Sequence, residues 1–240
     1  MALLAGGGYA EQVVVPAGQA MRVPDALSDV DAGGFPEVFL TAFLNLFLVG
    51  GLDGRRSCLV HGGSGGVGTA AIALCTAAAV RVFATAGTPE RCRRCESLGA
   101  GKAFDYRNED FVEGVHTATG GRGIDVVLDV VGAPYLDKNL AALADDGRLI
   151  VIGLMGGRRG EVDLAALLRR RIAIVGSTLR SRSAAAKAEL TAAFIDRFGG
   201  ELASGRLRPI VDEVVPLEEA ERAHQLLASG GVFGKVVLEV

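Results

Sequence analysis

Ser57-Cys58-Leu59-Val60-His61-Gly62-Gly63-Ser64-Gly65-Gly66-Val67-Gly68-Thr69-Ala70-Ala71-Ile72 is the stretch that decides the fold. An apolar run of strand length breaks into a glycine-rich turn, and an apolar run of helical character follows. Gly63, Gly65 and Gly68 match the spacing GxGxxG: one glycine for a tight turn, one for close approach of backbone to a pyrophosphate, one for close helix–strand packing. The first amides of the following helix have no intrahelical acceptor and sit at the positive end of its dipole, so they suit phosphate oxygens. Glycine turns also arise for packing alone. Here the turn follows a strand, opens a helix and heads a βα series, and that context points to a dinucleotide.

Residues 62–66 also spell GxSxG, the nucleophile elbow of α/β-hydrolases, in the same strand–turn–helix setting. A hydrolase built on Ser64 needs an acid and a later histidine, such as Asp129 and His224, in an allowed order. Against it, His61 and His116 are poorly placed and no separate HGGG-type oxyanion loop is visible.

Outward from the turn, short β-branched runs alternate with longer amphipathic ones. Strands are predicted at 57–61, 80–85, 102–105, 125–130, 148–153 and 172–177, and helices at 66–78, 89–98, 109–117, 134–144 and 164–170. Such alternation implies right-handed crossovers and a parallel sheet covered on both faces, an α/β doubly wound (Rossmann) fold. The strand at 172–177 is the last of the series and plausible as a sheet edge, so a homodimer that covers it is expected. The two chain ends break the pattern. A short strand is predicted at 10–15, and strands at 207–215 and 235–239 flank a helix at 217–229; together they suggest a small second domain. The most apolar stretch, 35–52, is interrupted by Pro36, Glu37, Thr41 and Asn45 and reads as a buried helix rather than a bilayer span. Glu37, Thr41 and Asn45 recur every four residues, a polar stripe expected to face a cleft. The alternative is a Thr41 hydroxyl bonded back to the preceding turn.

The 240 residues are half hydrophobic and 22% charged, with mean hydropathy +0.35, which supports a large core and argues against disorder. A formal charge of −3 offers no broad cationic field for nucleic acid or anionic lipid, so a small-molecule partner is favoured. No basic segment precedes an apolar run at Met1, and a cytoplasmic location is expected. Four cysteines are too few for a disulfide scaffold. Cys92 and Cys95 form a CxxC without a second ligand pair, and read as surface helix cysteines.

Dinucleotide folds of this kind present Asp or Glu to a ribose 2′-hydroxyl after the second strand. Residues 81–88 hold no acid, and Thr88 and Arg91 follow instead. A hydroxyl and a guanidinium suit a 2′-phosphate, so NADPH is expected in preference to NADH. Arg93 and Arg94 are accounted for equally well by a solvated helix face.

Several further stretches carry a resemblance. They are Phe35-Pro36-Glu37-Val38-Phe39-Leu40-Thr41-Ala42-Phe43, Val60 through Ala71, Phe104-Asp105-Tyr106-Arg107, Asp146-Gly147-Arg148, Gly153-Leu154-Met155-Gly156-Gly157, Ser177-Thr178-Leu179-Arg180-Ser181-Arg182 and Gly234-Lys235-Val236-Val237-Leu238. Together and in order they resemble the medium-chain dehydrogenase/reductase superfamily, and within it the zinc-independent quinone oxidoreductases of the p53-inducible type. The resemblance implies cofactor contacts from Thr41, from Ser64, Gly65, Gly66, Val67 and Gly68, and from Thr88, Arg91 and Tyr106 around the 2′-phosphate. It also implies that Leu154, Met155 and Gly156, with Phe233, Gly234 and Lys235, flank the nicotinamide. Metal-dependent members carry a cysteine where Glu37 stands and a four-cysteine lobe, so no metal is expected here. By the same resemblance residues 1–30 are a remnant of a GroES-like catalytic domain, 31–180 the NADP-binding domain, and 181–240 helices and strands returning to the catalytic domain. The implied activity is NADPH-dependent hydride transfer to a quinone or another electron-poor unsaturated carbonyl. Enoyl-thioester reduction and a catalytically impaired NADPH-binding module are the alternatives. No catalytic side chain is assigned. With most of the GroES-like domain absent, the chain is expected to bind NADPH yet reduce quinones poorly.

Overall fold

The computed structural model describes residues 1–240. The elements begin with α1 (Asp29–Gly34), α2 (Pro36–Phe43), β1 (Ser57–Val60), α3 (Gly66–Ala77), β2 (Arg81–Ala86) and α4 (Pro89–Ser97). They continue with β3 (Lys102–Asp105), α5 (Phe111–Ala118), β4 (Ile124–Asp129), α6 (Leu136–Ala142), β5 (Leu143–Val151), α7 (Leu164–Arg170) and β6 (Ala173–Gly176). The last are α8 (Ala184–Ala203), β7 (Val211–Pro216), α9 (Ala220–Ala228) and β8 (Lys235–Glu239). Two compact units arise, one from residues 45–64 and 71–177, the other from 1–44, 65–70 and 178–240.

The first unit holds a six-stranded parallel sheet in the order β3-β2-β1-β4-β5-β6. Every residue of β1 is buried, as are all but Asp125 in β4. Adjacent strand side chains point to opposite faces, so continuous burial means that both faces are covered. Leu59, Phe83, Phe104, Phe111, Val127 and Leu149 are among the residues of this core. The strand order reverses between β1 and β4, and the carboxyl ends diverge there, which is where such sheets bind ligands.

An ion pair ties β1 to β4 at the opposite edge. Asp125 accepts from Ser57 N–H at 2.7 Å and from Arg122 at 2.9 Å. Burial alone would raise the Asp125 pKa; Arg122 and Ser57 outweigh it and hold the carboxyl below the usual range. A carboxylate with a depressed folded-state pKa stabilises the fold above its unfolded pKa, about 3.9, and that stabilisation is lost as pH falls through the folded value. Asp125→Asn should therefore melt earlier than wild type at neutral pH, and the two curves should converge in acid. A melting difference that persisted unchanged after full acidification would contradict this assignment.

In the second unit, Phe35 and Phe43 near or on α2 meet Phe194 of α8 edge-on at 5.8 and 5.5 Å. Here β7 and β8 pair in parallel across the connection through α9, and α1 and α9 pack on them. The helix α2 runs on into a π-helical turn, Leu44–Val49, so the apolar stretch is helical and buried as its composition demands. The strand expected at 10–15 does not form. That stretch has no partner strand, and Val13 and Val14 are exposed. The N-terminal segment is joined instead by an antiparallel bridge from Ala2 to Ala20. A strand's backbone groups need a ladder, and apolar alternation without one leaves an extended loop.

Candidate functional site

Past the end of β1, His61 and the glycine turn lead into α3. Gly63 N–H donates to Thr85 O at 2.8 Å, which fastens the turn to β2. A Cβ on Gly63 would lie 2.7 Å from Ala84 Cβ and 3.2 Å from Cys95 Sγ, so this glycine serves packing. Gly65 is exposed, while Ser64, Gly66 and Val67 are partly so and Gly68 is buried. The first amides of α3, into which the turn leads, have no intrahelical acceptor and are donors suited to an anion.

Beyond β2, Thr88 caps α4 by accepting from Arg91 N–H at 3.2 Å. Tyr106 Oη lies only 2.7 Å from where a Cβ on Gly87 would stand, so Gly87 and Tyr106 form one shelf with Thr88 and Arg91 beside it. Tyr106 is 44% exposed, which leaves its hydroxyl reachable. The loops after β4 and β5 are fastened together: Met155 N–H donates to Val130 O at 3.1 Å, Gly156 N–H to Val131 O at 2.8 Å, and Ala133 N–H to Gly157 O at 3.0 Å. Leu154 and Met155 project from this pair, Met155 with 87% of its surface exposed.

In the other unit, Gly65 pairs with Gly234 in a parallel bridge. A Cβ on Gly66 would fall 2.5 Å from Lys235 Cδ and 2.9 Å from Val38 Cγ1, so Gly66, Lys235 and α2 converge. Thr41 Oγ1 donates to Glu37 Oε1 at 3.3 Å, a side-chain link along α2. Glu37 lines a cavity of about 750 Å³ with Tyr9, Leu179 and Arg180, whereas Asn45 is buried. Phe233 is buried.

The sheet unit also buries His61 and Asn139, for which the sequence suggested no role, and Asp129, read there only as a candidate hydrolase acid. His61 is buried, its Nε2–H donating to Asn139 Oδ1 at 2.6 Å and its Nδ1 accepting from Thr85 Oγ1 at 3.0 Å. Burial lowers its pKa to about 4, against the opposing effect of Asn139, so the ring is neutral. Asp129 is buried at the end of β4 and accepts from Val131 N–H at 2.7 Å. Burial pushes its pKa up, against the loop amides. A histidine directly before the turn was the available signal, whereas Asn139 follows Asp137 and Lys138 and gave none.

The partners required for a Ser64 nucleophile are engaged elsewhere. Asp129 is capped by its own loop, and His224 Nε2 lies 3.1 Å from Tyr9 Oη. Cys92 and Cys95 are not surface cysteines but buried ones, because their face of α4 packs inward; burial raises both thiols, Cys95 to about 12.

Residues 66–195 match the family model described as zinc-binding dehydrogenase. Human quinone oxidoreductase is 30% identical over 233 residues, covering 97% of this chain and 69% of its own length. Lovastatin diketide synthase of Aspergillus terreus is 30% identical over 99% of this chain, which spans only 10% of that enzyme. Among solved structures, an NAD-dependent alcohol dehydrogenase superposes with TM-score 0.85 at 37% identity, covering 98% of this chain and 65% of its own. Escherichia coli quinone oxidoreductase complexed with NADPH gives TM-score 0.82 at 26% identity, covering 93% and 69%. The family description implies zinc. No three His, Cys, Asp or Glu side chains cluster as ligands and all four cysteines are buried, so the residues present do not fit that ion. No helix is long and apolar enough to cross a membrane. With a sheet in dinucleotide-fold order, a glycine turn at its switch point and homologues that cover the chain nearly end to end, this protein belongs to the zinc-binding dehydrogenase family of oxidoreductases, within the medium-chain dehydrogenase/reductase superfamily and homologous to the quinone oxidoreductases.

Proposed function

We propose that the chain binds NADPH and serves zinc-independent hydride transfer to a quinone or a similar electron-poor carbonyl compound. The observation that carries this reading is the shelf beside the turn: Gly87, Thr88, Arg91 and Tyr106 gather where NAD-binding folds keep an acid. Residues 31–180 form the cofactor-binding part in this proposal, with 1–30 and 181–240 belonging to the substrate side. Bound NADPH would supply the hydride. Ser64 to Gly68 would hold the pyrophosphate through backbone amides, and Arg91 and Tyr106 the 2′-phosphate. Thr41, residues 154–156 and residues 233–235 would orient the nicotinamide. Positioning is then the protein's main contribution, since the cofactor carries the chemistry. A hydroquinone anion takes its proton from water, so no general acid is assigned. NADPH oxidation with a naphthoquinone tests the substrate class. Turnover of an enoyl thioester alone would favour the second reading, which the likeness to a polyketide synthase motivates.

Arg91→Ala should weaken NADPH about tenfold or more, the value of a charge-assisted phosphate contact, and leave NADH nearly unchanged. Equal losses for both cofactors in a fluorescence titration would count against the shelf.

We further propose a cytoplasmic homodimer joined through β6. This strand lies at the sheet edge, Ile174 on it is partly exposed, and Leu164 and Leu168 of α7 are largely so. Pairing two such edges satisfies their backbone groups. Light scattering should give the mass of two chains, and a stable monomer at micromolar concentration would remove the idea.

A further inference from the structure

A polar side chain inside a parallel sheet costs free energy unless it is well bonded, because both faces are sealed from water. Four such side chains are buried along the carboxyl edge of this sheet: Thr85 on β2, His61 past β1, Asn139 on α6 and Asp129 closing β4. They form a line. Thr85 Oγ1 donates to His61 Nδ1, and His61 Nε2–H donates to Asn139 Oδ1. Since Asn139 Oδ1 can only accept, the neutral ring must carry its proton on Nε2. Asn139 stands on α6, which follows directly on residues 133–135, and there Tyr135 N–H donates to Gly132 O at 3.0 Å. Asp129 then holds Val131 N–H at 2.7 Å and Gly132 N–H at 3.1 Å.

The line runs between two parts of the site in the sheet unit. Thr85 carries the turn through Gly63 N–H and stands two residues before Gly87. Asp129 organises residues 130–133, which are fastened to residues 154–157. His61 also packs edge-on between Phe111 and Tyr135, at 5.0 and 4.9 Å, which fixes its ring plane.

We infer that His61 is a positioning residue, setting the spacing between the phosphate shelf at Gly87–Arg91 and the loop pair 130–133 and 154–157 through Thr85 and Asn139. This role rests on the NADPH reading above, with the shelf taking the 2′-phosphate and residues 154–156 the nicotinamide. A ligand held at two ends gains affinity from the correct distance between them, because the second contact is intramolecular once the first is made. A fragment held at one end gains nothing from it.

The test compares NADPH with adenosine 2′,5′-bisphosphate, which reaches the shelf and one phosphate position of the turn but lacks the nicotinamide half. His61→Phe keeps the packing against Phe111 and Tyr135 and removes both hydrogen bonds. It should raise the NADPH Kd about tenfold and leave the bisphosphate Kd within about twofold of wild type. His61→Gln, which restores a donor toward Asn139, should recover part of the loss. Thr85→Val removes a single hydroxyl at the far end of the line and should reproduce the pattern at about threefold, even if His61→Phe does not fold. A lowered melting temperature with both Kd values unchanged would reduce the line to a structural role and overturn the proposal. Equal weakening of both ligands would do the same, by locating the damage in the shelf or the turn. If wild type bound the bisphosphate and NADPH equally well, there would be no second end to position and the role would fail while the shelf stood. If wild type bound neither, the cofactor reading itself would fall, and this role with it.

Discussion

Gly65→Val is expected to lower NADPH affinity by roughly 100-fold or more while the protein remains folded. Gly65 is exposed and its φ is not positive, so the backbone accepts a side chain there. Its neighbours in the turn and the first amides of α3 are the donors proposed for the pyrophosphate. A valine at this point places two methyl groups between those donors and the oxygens they would meet. Each hydrogen bond to a charged group contributes about 1.5–3 kcal/mol, and losing two gives at least the stated effect. Fluorescence titration with NADPH, together with far-ultraviolet circular dichroism to verify folding, measures it. Retained affinity in a folded variant would refute the phosphate-cradle role of the turn.

Gly63→Val, two residues earlier, should fail in a different way. A Cβ at Gly63 meets Ala84 Cβ at 2.7 Å and Cys95 Sγ at 3.2 Å, and the branched methyls would reach further into the same space. Ala84 belongs to a strand paired on both sides and Cys95 to the buried face of α4, so neither neighbour can yield cheaply. Overpacking of this kind costs about 3 kcal/mol, equivalent to a fall of roughly 6–12 °C in melting temperature. The first glycine of the motif thus serves the fold, and the second is the one proposed to serve the ligand. Calorimetry on the two variants separates them: an unshifted transition in Gly63→Val would show that β2 and α4 have room to part, and that the glycine is not required for packing.

Much of this was legible in the residues because the strongest signals are local and periodic. The βα alternation placed every strand of the parallel sheet to within a few residues, since strands buried on both faces must be continuously apolar. The main shift is at β5, which begins at Leu143 where the helix before it was expected to continue. Periodicity does not separate a buried helix end from a buried strand. Residues 10–15 have strand-like alternation, but a strand exists only with a neighbour, and pairing is not written locally. The misplacement of Cys92 and Cys95 has a similar origin: three arginines nearby suggested a solvated helix, yet the cysteine face of α4 is the one turned inward. The shelf was partly visible, through the missing acid and Arg91, whereas the contact of Tyr106 with Gly87 joins residues 19 positions apart across two strands. His61 was hardest to read. Its role depends on Thr85 and Asn139, which only the packed sheet brings to it.

Parallel titrations of the unaltered protein with NADPH and NADH, followed by the fluorescence of the bound nicotinamide, test the central claim most directly. The 2′-phosphate is the only difference between the two ligands, so their affinity ratio reports the shelf alone. NADPH should bind about tenfold tighter or better, and the gap should narrow as salt rises, as expected for contacts between a phosphate and a partly exposed guanidinium. Equal affinities, a preference for NADH, or no binding of either would contradict the account.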